Sequence, residues 1–278
     1  MRRPRAERPL QALVIALVLA STGPAAAAGA GSCLGLIACN NDTGKIGKKA
    51  CIGEEVCAEN TGKIGDGSCI ELAACVFNSG KIGKGSCISF GACSENSAPI
   101  GNGSCTALAA CASSSAKIGN GACTTPGACG SAQGTIGNAA CGGGSNACER
   151  NSGEVANGAC LGVNACQDNV GAVGKSACVG GSTCQKNTGS IGTAACVGQF
   201  ACILNSATIG AQSCRGTSAC ANNTVPVGKA SCVGPSACEG NTGTIADGAC
   251  LGENACRNNT QNRASGECIG TASCAGPP

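Results

Sequence analysis

The chain is expected to fold as an all-β protein: a parallel β-solenoid of about fourteen 18-residue coils stapled by disulfides. Three observations lead there. From Cys33 to Cys274 the cysteines fall alternately six and twelve residues apart, with one slip, so the pattern returns every eighteen. Small and aliphatic residues recur within each eighteen at a finer period of six. Phe77, Phe90 and Phe200 are the only aromatic residues, so a conventional globular core has little to be built from. A repeat of this length buries apolar surface only against its neighbours, which suits a stack of coils.

The first thirty residues differ from the rest. Arg2, Arg3, Arg5 and Arg8 make a basic start, Leu10 to Ala20 is a mostly apolar run, and Ala25 to Ala28 supplies small residues for cleavage. This is the layout of a secretory signal peptide rather than a bilayer span. Residues 1–30 are therefore assigned to a signal peptide, cleaved after Ala28 or Ala30, and 31–278 to the cysteine-rich repeat solenoid. Arg2-Arg3 does not make a twin-arginine signal, since the apolar residues that should follow it are absent.

Export sets the reading of the cysteines. A chain with 28 of them in an oxidising compartment is a disulfide scaffold, and an even count leaves no thiol over. The expected location is secreted, periplasmic or cell-surface. One column of disulfide candidates is Cys33, Cys51, Cys69, Cys87, Cys105, Cys123, Cys141, Cys160, Cys178, Cys196, Cys214, Cys232, Cys250 and Cys268. The other is Cys39, Cys57, Cys75, Cys93, Cys111, Cys129, Cys148, Cys166, Cys184, Cys202, Cys220, Cys238, Cys256 and Cys274. A bridge within a unit, Cys87 to Cys93, and one between coils, Cys87 to Cys105, both remain open. Pairing across the long gap would strand Cys33 and Cys274. A wide triangular coil favours the vertical link, a flatter one the internal link.

Charge excludes some partners. Of 18 basic residues four are the leader arginines, and of 15 acidic residues one is Glu7, so fourteen of each sign remain after processing. A mature chain near neutrality has no overall footprint for nucleic acid or an anionic membrane. The membrane matters only during export. The partner classes left open are a cell-surface component and self-association.

Each unit is counted from the residue before its first cysteine. Ser68 to Gly85 reads SCIELAACVFNSGKIGKG, and Ser231 to Gly248 reads SCVGPSACEGNTGTIADG. Positions one, seven and thirteen hold small residues, and positions three and fifteen hold Ile, Val or Leu, as in Ile88 and Ile100. Asn recurs at position eleven, at Asn60, Asn78, Asn96, Asn169, Asn187, Asn205, Asn223 and Asn241, usually before Ser or Thr. Asn and Gly tolerate left-handed backbone, so N-T-G reads as a corner. Three short segments, each with an inward side chain and a turn, make one coil.

Hexads such as Ile100-Gly101-Asn102-Gly103-Ser104-Cys105 and Val197-Gly198-Gln199-Phe200-Ala201-Cys202 follow the order aliphatic, Gly, two free, small, free. In this the chain resembles the hexapeptide-repeat family of left-handed β-helices, in two hexads of every three. The third hexad, such as Ser94 to Pro99, has no inward aliphatic. The paired cysteines six apart are similar to those of cysteine-stapled insect antifreeze β-helices. Hexapeptide-family acyltransferases rely on a histidine, and this chain has none.

The alternative fold is a disulfide-rich solenoid of short α-helices, in which Ser104 caps a helix running to Cys111. Glycine at the fourth, thirteenth and sixteenth positions weighs against it. So does the extra residue between Cys141 and Cys148, which a loop absorbs and a packed helix does not.

Catalytic and cofactor sites are not expected. Without histidine the usual general base and the commonest metal ligand are missing. The short cysteine gap is C-x5-C rather than the C-x2-C of zinc ribbons. Gly142-Gly143-Gly144 precedes no phosphate-loop lysine, and the acidic residues form no repeated pair. One outward column remains: Lys45, Lys63, Lys81 and Lys117 at position fourteen, replaced later by Thr135, Ser190, Thr208 and Thr244. Only Thr242-Gly243-Thr244 makes a T-x-T there, so the column reads as a hydrophilic face rather than an ice-binding one. The expected function is an exported structural or adhesive rod, non-enzymatic. The alternatives are a solenoid binding ice, glycan or mineral on one face, and a thiol-rich metal or redox reservoir. Arg263 and Glu267 break the pattern, so the last coil is expected to cap or fray.

Overall fold

A computed structural model describes residues 28–276. The signal-peptide assignment falls, but for its last three residues, outside them. The described residues form a solenoid in which each coil lies on the one before. Successive coils are joined by parallel bridges at position fifteen, running from Ala28–Ile46 and Ile46–Ile64 through to Ile245–Arg263. A second column of bridges runs at position three, as in Leu34–Ile52 and Val179–Val197. The strands are single-residue bridges; most of each coil is turn.

Backbone hydrogen bonds nevertheless tie the coils throughout. In coil two, the N–H groups of Cys51, Ile52, Thr61 and Gly65 donate forward to the next coil. Those of Gly53, Glu55, Cys57, Glu59, Ile64 and Gly67 donate back to the previous one. This satisfies backbone groups that a coil of mostly irregular structure could not satisfy internally.

No α-helix is present among the described residues, which removes the helical alternative. The reason is in the backbone. The first cysteine of every coil lies at φ between 54° and 60°, and position six is left-handed as well. A right-handed helix cannot pass through either. Ser104 does not cap a helix: it is buried, and its Oγ donates to the Gly119 carbonyl of the next coil at 2.7 Å.

The core also differs from the hexad expectation. The aliphatics at position fifteen are buried, as are the small residue and cysteine at one and two and those at seven and eight. Position three faces outward instead, with Ile52 and Ile70 half-buried and Leu34 54% exposed. The third side, where no aliphatic occurs, is filled by position eleven. The asparagines there are buried and take no left-handed conformation; the left-handed residue is their predecessor, such as Glu59 or Phe77. The corner thus lies one residue before the asparagine, which points inward.

The inserted residue at Gly142–Asn146 is contained where it occurs. Cys141 and Cys148 sit 5.5 Å apart, as in other coils, and the ladder resumes with Ile136–Val155, nineteen residues apart.

Candidate functional site

Two interior columns and one outer strip carry the chemistry of the repeat. The first column is sulfur. Each first-column cysteine is bonded to the second-column cysteine of its own coil, from Cys33–Cys39 to Cys268–Cys274, with Cα atoms 5.4–5.7 Å apart. The left-handed turns at positions two and six fold the chain back so that residues six apart meet, within the range a bridge requires. The vertical link between Cys87 and Cys105 is not made. Sulfurs of adjacent coils do approach, as at Cys123, Cys129 and Cys141, within 4.8 Å. No free cysteine exists among the described residues, so these clusters hold disulfide sulfur and no thiolate.

The second column, which the sequence suggested as a corner, is a hydrogen-bonded ladder at position eleven. Asn78 Nδ2 donates to Asn60 Oδ1 at 2.7 Å and Asn96 Nδ2 to Asn78 Oδ1 at 2.9 Å. The same bond runs from Asn169 on Asn151 through to Asn259 on Asn241. The second amide hydrogen goes to the carbonyl two residues on, as from Asn78 to Gly80. Each of these amides thus donates toward the N-terminus, and the ladder has a direction; Asn151, preceded by Ala132, donates only to the Gly153 carbonyl.

Its ends fit that direction. At the first rung stands Asp42, which is 3% exposed and only accepts: from the Gly44 N–H at 2.6 Å and from Asn60 Nδ2. Burial pushes its carboxyl up to about 6, against the hydrogen bonds from Gly44 and Asn60, which pull it down. At the last rung Asn259 Oδ1 has no following asparagine. Arg263 fills the vacancy, with Nε at 2.9 Å and Nη2 at 2.6 Å. The irregular arginine at position fifteen is therefore a cap on the ladder, and Glu267 beside it accepts from the Ala264 N–H. In between, Ser114 and Ala132 interrupt the column, and Asn96 Oδ1 is left buried without a partner. A run of Asn every eighteen residues, opened by Asp and closed by Arg, was the signal available in the sequence.

The outer strip lies at positions twelve to seventeen. Gly62 and Ile64 are buried while Thr61 and Lys63 are exposed, so twelve and fourteen both face solvent. A serine ladder supports it from beneath: Ser68 Oγ donates to the Gly83 carbonyl at 2.6 Å and accepts from the Ser86 N–H. At Gly101, in position sixteen, the next coil approaches closely: a Cβ there would lie 2.6 Å from the Asn120 backbone nitrogen, while Ala156, Ala246 and Ala264 hold the same position in other coils.

These features define a cysteine-rich tandem-repeat solenoid whose cysteines are paired within each coil. The chain belongs to a family described as a domain of unknown function, DUF7640, which matches residues 19–128, 91–198, 125–224 and 181–277. No curated protein and no solved structure matches it.

Proposed function

We propose that the protein is an exported structural or adhesive rod, a parallel β-helix released from its signal peptide at residues 1–30, with no enzymatic activity. The observation that carries this reading is the commitment of the interior. Along the described length the buried side-chain polar atoms, Asn96 Oδ1 excepted, bond to a neighbouring coil or their own, and the cysteines are consumed pairwise. An active site instead needs buried polar groups held free for a substrate. The many disulfides agree with an oxidising compartment, and secretion, the periplasm or the cell surface would each supply one.

The likeness to hexapeptide-repeat and antifreeze β-helices supports the reading only as architecture. Only position fifteen keeps an inward aliphatic of the hexapeptide kind, with asparagine inward at eleven and position three turned outward, and the staple is the antifreeze feature. Small-angle scattering on the mature chain tests the rod. A cross-section that stays constant along about 60–70 Å is expected for about fourteen coils rising about 4.8 Å each. A compact particle would overturn it.

A further inference from the structure

The first five coils carry a charge pattern that the near-neutral total conceals. Lys45, Lys63, Lys81 and Lys117 project from position fourteen, and Lys48 and Lys84 from position seventeen, all exposed; coil four alone of the five has no lysine there, with Pro99 at fourteen and Asn102 at seventeen. Of the acidic residues of these coils, Asp42 is buried at position eleven and Glu54, Glu55, Glu59, Glu71 and Glu95 stand at positions four to ten, outside the strip. Asp66 is the one acid within it and pairs with Lys84 at 3.4 Å; no other lysine here has an ion-pair partner among the described residues. From coil six onward position fourteen carries Thr135, Glu154, Ala172 and Ser190, so the strip ends.

A shallow groove runs along this strip, with Lys81 and Lys117 on one wall and Asn102, Asn120 and Asn138 on the other. The asparagine oxygens are already used: Asn120 Oδ1 accepts from the Asn102 N–H at 2.8 Å, and Asn138 Oδ1 from the Asn120 N–H at 2.8 Å. Their amide nitrogens make no hydrogen bond among the described residues. Both walls therefore present donors, one charged and one neutral. On the far side of the lysines, Thr61, Ser79, Ser97 and Ser115 add exposed hydroxyls at position twelve.

We propose that this groove binds a linear acidic polysaccharide. A single extended chain fits a strip one column wide, and the rise of one coil, about 4.8 Å, is comparable to one sugar residue. Ammonium and amide donors meet carboxylates, while hydroxyls meet sugar hydroxyls. Nucleic acid fits less well, because the three phenylalanines lie at positions ten, five and six and none is in the strip to stack a base. The inference does not depend on the rod reading.

The test is calorimetric titration of the full mature chain with polygalacturonate, with methyl-esterified polygalacturonate and duplex DNA as comparisons. Binding to the free acid is expected to weaken as salt rises, as counterion release requires. The K63Q/K81Q/K117Q variant should bind roughly tenfold or more weakly, about 1.4 kcal/mol, while K175Q/K229Q on later coils should bind unchanged. These substitutions lie on the surface and leave the core intact, which circular dichroism can check. Equal affinity of the triple variant, equal binding of the neutral ester, or equal binding of DNA would each overturn the proposal.

Discussion

Completing the broken ladder offers a sharp test of its role. Asn96 Oδ1 is buried without a partner because position eleven of the next coil is Ser114, whose Oγ donates forward to the Ala132 carbonyl at 3.3 Å. An orphaned buried acceptor costs about 1–3 kcal/mol. Ser114→Asn alone supplies a donor to Asn96 but sets its own oxygen against the Ala132 methyl, so the orphan moves one coil and the net gain is about zero. Ala132→Asn alone accepts from Asn151 but leaves Asn96 as it was. Only the pair makes the column continuous from Asp42 to Asn259. The double variant should gain about 1–3 kcal/mol over the sum of the singles, a coupling that a double-mutant cycle isolates. Guanidinium unfolding would measure it, with amide exchange across residues 96–151 showing where it acts. A double variant no more stable than the singles combined would refute the idea that ladder continuity matters.

Four further outcomes follow from the same structure. Asp42 holds its proton more tightly folded than unfolded, so its contribution is full below the ordinary carboxyl value of 3.8 and is lost as pH rises through about 6, by up to about 3 kcal/mol; guanidinium unfolding of the first coil at pH 4 and 7 should show this loss, and Asp42→Asn should abolish it. Arg263→Leu leaves Asn259 Oδ1 only the bond from the Gln261 N–H at 3.3 Å and should cost about 1 kcal/mol, with faster amide exchange confined to the last two coils. Under mild reductant, differential alkylation should label Cys33, Cys39 and Cys274 first, because these are partly exposed while the cysteines from Cys51 to Cys256 are at 0%; labelling spread evenly along the chain would contradict the packed stack. If the leader is removed as proposed, mass spectrometry should find Gly29 or Gly31 at the N-terminus, and only the former keeps the bond from the Gly29 N–H to the Ile46 carbonyl at 3.0 Å.

Much of the architecture was legible because it rests on one-dimensional features. The eighteen-residue return of cysteine marks the coil, and small residues at one, seven and thirteen mark where the chain turns inward. The buried column at fifteen was legible as well, since Ile46 to Ile245 repeat it almost without exception. Position three misled for a physical reason: Ile52 and Ile70 are as apolar as Ile64, but the left-handed cysteine before them rotates the side chain out of the core. The asparagines misled in the opposite sense. Asn is ordinarily a turn residue, and nothing at a single position distinguishes a corner from a rung. The difference lies in the partner eighteen residues away, which supplies the acceptor that makes burial tolerable.

The staples and the ladder therefore do different work. Each disulfide closes a loop of a few residues inside one coil, stabilising by about 2 kcal/mol in the chain-entropy account, and none joins one coil to another. Cohesion between coils rests on backbone hydrogen bonds, the asparagine and serine columns, and the stacked aliphatics. Such a division explains how an extra residue at Gly142–Asn146 is accommodated: the staple contains it, and the rungs on either side re-form. It also frees the outside. Position fourteen projects between the buried residues at thirteen and fifteen, so Lys63, Glu154 or Ser190 can stand there without altering any core contact. A solenoid built this way keeps one interior and can change its surface coil by coil, so that lysines can line four of the first five coils and stop.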